Sequence, residues 1–116
     1  MVRWLCETVG VSVVLVGSEP QRADAETLTA AIPSTRLFNL VGKTSLPEAI
    51  ATVGSVDLFV GNDTGLTHYA AQFGVPTVAI FSGIDPTAVW APIGDHVTIV
   101  KSSVSCSPCH ILRLED

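Results

Sequence analysis

Basic residues are scarce in this 116-residue sequence: 6 Lys and Arg stand against 11 Asp and Glu, a formal net charge of -5. A broad nucleic-acid footprint needs many cations against phosphates, so no nucleic-acid partner is expected. A small anionic ligand stays open, because backbone amides at a helix N-terminus bind phosphate without net positive charge. Cysteine is sparse too. Cys6, Cys106 and Cys109 are odd in number and low in density, which does not describe a secreted disulfide scaffold. Cys106-Ser107-Pro108-Cys109 is a single CxxC, and with His110 beside it a zinc site would still lack a ligand. No metal and no cofactor is expected. Long apolar runs are missing as well. The longest, residues 13–16 and 75–81, are strand-sized and bounded by Gly or Pro. The first seven residues lack the apolar core of a signal peptide. No membrane span and a cytoplasmic home are the expectations.

What is present is apolar: 47% of the residues are hydrophobic and 15% charged, so disorder is not expected. The length suits one domain, residues 1–116, with one core. Residues 11–16 (Val-Ser-Val-Val-Leu-Val) read as a buried parallel strand. Ser18 caps a helix that runs to Ala31 with Pro20 in its first turn, and Pro33 ends it. A second strand spans 36–41. Ser45, with Glu48 three residues on, opens the next helix in a near capping box, with Gly54 as its C′ residue. Strands at 56–60, 75–81 and 97–100 follow. A helix at 66–73, ended by Gly74, separates the first two, and a short helical turn at 85–90 precedes the last. The alternation predicts an α/β fold: a Rossmann-like open parallel sheet with helices on both faces, and ligands at the carboxyl ends of the strands. Trp90, with Pro92 and Gly94, is expected to pack a loop over the sheet, the alternative being direct stacking on a ligand.

Four strand-to-helix turns then fall on one edge. The most informative is Gly61-Asn62-Asp63-Thr64-Gly65-Leu66-Thr67-His68. Free amides of Thr64, Gly65 and Leu66 would point at one spot where the helix dipole favours an anion. Gly65 would let a ligand approach the backbone, Thr64 adds a hydroxyl, and His68 lies one turn on along the same face. The competing reading is ordinary: Asp63 N-caps the helix, and His68 fills surface or core. Gly42-Lys43-Thr44 is the second turn. Lys43 offers charge to a phosphate and Thr44 a hydroxyl to a base or ribose, or the segment is a plain turn. Glu19, in the turn after Gly17, could accept from ribose hydroxyls or serve as a first-turn acid. Ser82-Gly83-Ile84-Asp85-Pro86 is the fourth turn. The histidines His68, His96 and His110 are scattered, and no Ser-His-Asp, Cys-His or paired-carboxylate arrangement emerges.

Taken together the blocks carry a resemblance. Asn39-Leu40-Val41-Gly42-Lys43-Thr44-Ser45-Leu46, then residues 60–71, then Phe81-Ser82-Gly83-Ile84-Asp85-Pro86 with Trp90-Ala91-Pro92-Ile93-Gly94, and finally the CxxC, resemble the ADP-heptose:lipopolysaccharide heptosyltransferases, glycosyltransferase family 9. The blocks come in the family's order and cover nearly the whole chain. The resemblance implies part of a GT-B enzyme, the C-terminal half that binds the sugar nucleotide. It implies Asp63, Thr64, Gly65 and His68 at the pyrophosphate and heptose, and Thr44, with Lys43 beside it, at the nucleotide. Glu19 is implied at the ribose, with Asp24 as the fallback. Transfer would be metal-independent and inverting, from ADP-heptose to the lipopolysaccharide inner core. The family's catalytic aspartate and acceptor surface belong to an N-terminal domain. Arg3, Trp4 and Glu7 resemble the remnant of a first motif. The chain alone is therefore expected to bind rather than turn over, with association at the inner face of the inner membrane and self-association as further expectations. The alternatives are a free-standing nucleotide-sugar-binding module and a self-associating structural remnant.

Overall fold

The computed structural model describes residues 1–83, 87–102 and 104–105. The CxxC and the residues Ile84, Asp85 and Pro86 lie outside them. The chain divides into two compact units, Met1–Ala49 and Ile50–Asp116, with the division inside a helix.

The first unit opens with a helix that the sequence did not announce. Helix α1 (Val2–Trp4) continues as a π-helical stretch, Leu5–Val9, that ends at Gly10. The amides of Gly10 and Val11 both reach the Leu5 carbonyl, at 3.0 and 3.2 Å. Cys6 is buried from this segment against Ile32 and Leu37, with Val2, Val13 and Leu15 packed around them. Strand β1 (Val13–Leu15) pairs in parallel with β2 (Leu37–Asn39), Val13 opposite Leu37. A 3-10 turn (Glu19–Gln21) and α2 (Arg22–Ala31) connect them. The expected burial of the first strand is only half met: all three residues of β1 are half-buried. A strand with one neighbour in a two-stranded ladder keeps one edge uncovered.

Helix α3 (Leu46–Val53) begins as predicted. The Ser45 amide and hydroxyl both donate to Glu48 Oε2, at 2.7 and 2.6 Å. These two bonds hold the Glu48 carboxyl below the ordinary glutamate range, the side-chain bond contributing most. A depressed carboxyl stabilises the fold above its unfolded pKa, about 4.3, and that contribution fades as pH falls through the folded value. Ser45→Ala removes the hydroxyl bond and keeps the amide bond, so the Glu48 carboxyl is expected to rise part of the way toward the ordinary range, read from the carboxyl carbon shift in an NMR titration. Gly54 does not play the C′ part assigned to it. Its φ is not left-handed, and its small size serves packing instead: a Cβ there would sit 3.0 Å from the Phe73 ring.

The second unit holds β3 (Phe59–Asn62), β4 (Thr77–Phe81) and β5 (Val97–Lys101), parallel and in that order. Helix α4 (Gly65–Gln72) crosses from β3 to β4 and packs on both. Its inner face is small, with Ala70 wholly buried and Ala71 nearly so, above Ala79 at 0% and Phe81 at 4% exposed. Its end is a Schellman motif. Gly74 at φ +74 donates to Ala71 and Val75 donates to Ala70, both at 3.0 Å. Helix α5 (Thr87–Trp90) is one turn. Trp90 does not cover the sheet as expected: it is 53% exposed, beside Val89 at 68% and Ile93 at 94%.

The fold is thus α/β, with parallel strands in open sheets. Among the described residues the strands form two ladders, β1–β2 and β3–β4–β5, rather than one continuous sheet. No helix there is long and apolar enough to cross a membrane.

Candidate functional site

Strand β3 delivers the chain to its carboxyl end at Asn62, and Asp63 and Thr64 turn it into α4. Thr64, not Asp63, is the N-cap: its backbone is extended, φ -143 and ψ 163, and its carbonyl accepts from Thr67 at 3.1 Å. The competing reading of Asp63 as a helix cap is therefore displaced. Its carboxylate instead lies 3.8 Å from His68 Nε2, an ion pair when the imidazole is protonated. Both side chains are partly exposed, so solvent screens the contact and its worth is small.

Gly65 is the first residue of α4, and a Cβ built there meets nothing within 4 Å. Its φ is not left-handed. Among the described residues neither packing nor backbone geometry demands a glycine at this place, and the space beside its backbone is open. Thr67 turns its amide back on Thr64, leaving the amides of Gly65 and Leu66 as the outward donors of the first turn. Gly61 is small for the opposite reason. A Cβ there would fall 2.6 Å from Phe59 Cε1 and 2.7 Å from Thr67 Oγ1.

The sequence does not mark Thr67 as a site residue. It is 1% exposed, and its hydroxyl donates to the Asn62 carbonyl at 2.5 Å, fixing the helix start to the strand end. Its Oγ1 also stands 3.4 Å from Thr64 Oγ1. Only the threonine hydroxyl beside a strand-ending residue hinted at this, and many solvated threonines share that pattern.

A cavity of about 430 Å³ opens at the carboxyl ends of β3 and β4. Asn62, Asp63, Ile80, Phe81 and Ser82 line it. Asn62 and Ser82 were not singled out as site residues; they reach the cavity because adjacent parallel strands end on one edge. A second depression of about 300 Å³ is walled by His68, Gln72, Val89 and Ile93 among others. Asp63 lines one depression and His68 the other, and their side chains are the 3.8 Å pair.

The remaining expected residues gather in the first unit. The Gly42 amide donates to the Gly17 carbonyl at 3.0 Å, which joins the turn after β1 to the turn after β2. Gly42 has φ +68, and a Cβ on it would collide with the Glu19 carboxylate. Glu19 therefore lies against the Lys43 turn, and its other oxygen takes Arg22 at 2.9 Å. Lys43 folds its ammonium onto the Asn39 carbonyl at 3.0 Å. Among the described residues the Thr44 hydroxyl is buried with no hydrogen-bond partner. Asp24 is exposed in the first turn of α2, one turn beyond Glu19. Asp63, Thr64, Gly65 and His68 thus form one group around the start of α4. Glu19, Lys43 and Thr44 form another at the carboxyl ends of β1 and β2.

The sequence profile of Glycosyltransferase family 9 (heptosyltransferase) matches residues 2–112. The chain is 35% identical over 97 residues to the lipooligosaccharide heptosyltransferase 2 of Haemophilus influenzae, covering 81% of this chain and 28% of that protein. It is 32% identical over 80 residues to the lipopolysaccharide heptosyltransferase 2 of Escherichia coli K12, covering 66% and 23%. The chain therefore spans about a quarter of the length of these relatives. In structure it resembles the E. coli ADP-heptose lps heptosyltransferase II, with a TM-score of 0.76 at 22% identity over 94% of this chain and 37% of that one. It also resembles the glycosyl transferase family 9 protein of Veillonella parvula, with a TM-score of 0.72 at 20% identity over 81% and 26%. These likenesses show the fold, that of GT-B heptosyltransferases. By the profile match across nearly its whole length, the chain belongs to glycosyltransferase family 9, the heptosyltransferases.

Proposed function

We propose that residues 1–116 act as one nucleotide-sugar-binding domain, the donor half of a heptosyltransferase. The observation that carries the reading is Gly65: a glycine at the first position of α4 that no contact or backbone angle among the described residues demands, with open space beside it there and a cavity at the same strand ends. An anion seated there takes the Gly65 and Leu66 amides, the Thr64 hydroxyl and the positive end of the helix dipole. A diphosphate fits that chemistry. As the leaving group in glycosyl transfer it gains negative charge when the bond to the sugar breaks, and fixed donors aimed at it favour that step. Asp63 is acidic beside an anion, so its role is to accept from His68 or from a sugar hydroxyl, not to touch phosphate. Glu19, Lys43 and Thr44 take the nucleoside side, Glu19 accepting from ribose.

The relatives' names supply the donor, ADP-heptose, and the acceptor, lipopolysaccharide, whose inner core is the part proposed here. In this reading residues 1–116, about a quarter of the relatives' length, bind the donor and do not by themselves transfer it. Association at the inner membrane face would follow the acceptor. Calorimetric titration of the 116-residue chain with ADP, ADP-heptose and UDP tests the reading. Heat with both adenine ligands and weaker heat with UDP supports it. Silence at millimolar ADP overturns it.

A further inference from the structure

We infer that His96 is a positioning residue for the anion site: its imidazole fixes the far end of α4 and so sets where the amides at the near end point. The inference rests on the reading of α4 as the diphosphate seat. His96 Nε2 lies 2.9 Å from the Ala71 carbonyl, across 25 residues of sequence. A carbonyl only accepts, so Nε2 carries the proton. That carbonyl belongs to the last turn of α4 and already takes the Gly74 amide at 3.0 Å; the imidazole fills its second lone pair. Ala71 is 5% exposed, so water does not readily replace the ring.

The residue that reaches α4 is itself locked to the sheet. The His96 carbonyl accepts from the Thr77 amide at 2.9 Å, and Thr77 is the first residue of β4. The other end of β4 contributes Ile80 and Phe81 to the cavity. The preceding loop is shaped around the ring. Gly94 has φ +153, and a Cβ there would lie 2.5 Å from the imidazole Cε1.

Helix α4 is thus tied to the strands at both ends by side chains, Thr67 at the start and His96 at the finish. Its small-residue face leaves few apolar atoms to resist tilting. A tilt of about 5° about one end of an eight-residue helix, ~12 Å long, displaces the other end by ~1 Å. That is enough to take an amide out of hydrogen-bond range of a phosphate oxygen.

The test uses two substitutions of similar length. His96→Gln keeps an N–H that reaches the carbonyl, and His96→Met does not. Dissociation constants for ADP are measured by calorimetry at 15 °C, with melting temperatures alongside. The Met variant is expected to bind ADP about fivefold more weakly and the Gln variant within about twofold of wild type. A merely structural role would lower the melting temperature of the Met variant and leave its affinity unchanged, and that result overturns the inference. So does an equal loss in both variants, which would assign the effect to the ring's shape. A wild-type chain that fails to bind ADP is a separate result: it removes the site reading and this inference with it.

Discussion

Replacing Gly65 with alanine is expected to weaken ADP binding about tenfold or more while leaving the chain at least as stable. The two halves of this result have separate causes. The added methyl enters open space, so no protein atom resists it, and the backbone there is not in the left-handed region. Alanine costs less backbone entropy than glycine in a helix, so stability should hold or rise by about 0.5–1 kcal/mol. The same methyl stands where a phosphate oxygen would meet the Gly65 and Leu66 amides. Hydrogen bonds to a charged group contribute about 1.5–3 kcal/mol each, and weakening one is worth a factor of ten or more. Calorimetry and a thermal melt on one preparation read both effects. Unchanged ADP affinity in Gly65→Ala would mean the glycine serves no ligand.

Gly61→Ala should do the reverse and damage the fold. Its Cβ would lie 2.6 Å from the Phe59 ring and 2.7 Å from the Thr67 hydroxyl. Phe59 is 9% exposed and Thr67 1%, so neither has room to retreat. Opposite Gly61 on β4 stands Ala79, wholly buried. Overpacking of this kind costs about 1–3 kcal/mol. Pushing Thr67 aside also breaks its bond to Asn62. Against a total stability of about 5–15 kcal/mol for an ordinary domain the loss is large. A lower urea midpoint with an unchanged slope is the expected outcome; a midpoint equal to wild type would show that the β3–α4 junction has slack.

The two glycines show what a sequence discloses and what it withholds. Both stand in one motif, and the turn itself was legible, because strand ends, helix caps and free amides are local matters. Which glycine faces Phe59 and which faces open space is a tertiary fact. The same division explains the strand bounds. The sequence predicts a fourth strand at 75–81, and the strand begins at Thr77. Val75 is spent closing α4, and Pro76 has no amide to give a ladder. The sequence predicts the third strand at 56–60, and it runs Phe59–Asn62, because pairing starts where the Phe59 amide meets the Pro76 carbonyl. The N-terminal helix went unread since its support is distant: Cys6 packs on Ile32 and Leu37. Thr67, Ser82 and His96 share that reason. Each acts on an element other than its own, or closes a cavity between elements, and no spacing rule reports that.

The central claim is that the amides at the start of α4 bind the diphosphate of a nucleotide sugar. Amide NMR shifts of the 116-residue chain, followed during titration with ADP and in parallel with adenosine, test it most directly. The account predicts that Gly65 and Leu66 shift strongly with ADP and stay nearly still with adenosine, which has no phosphate. ADP binding that leaves both amides in place and moves others would contradict it.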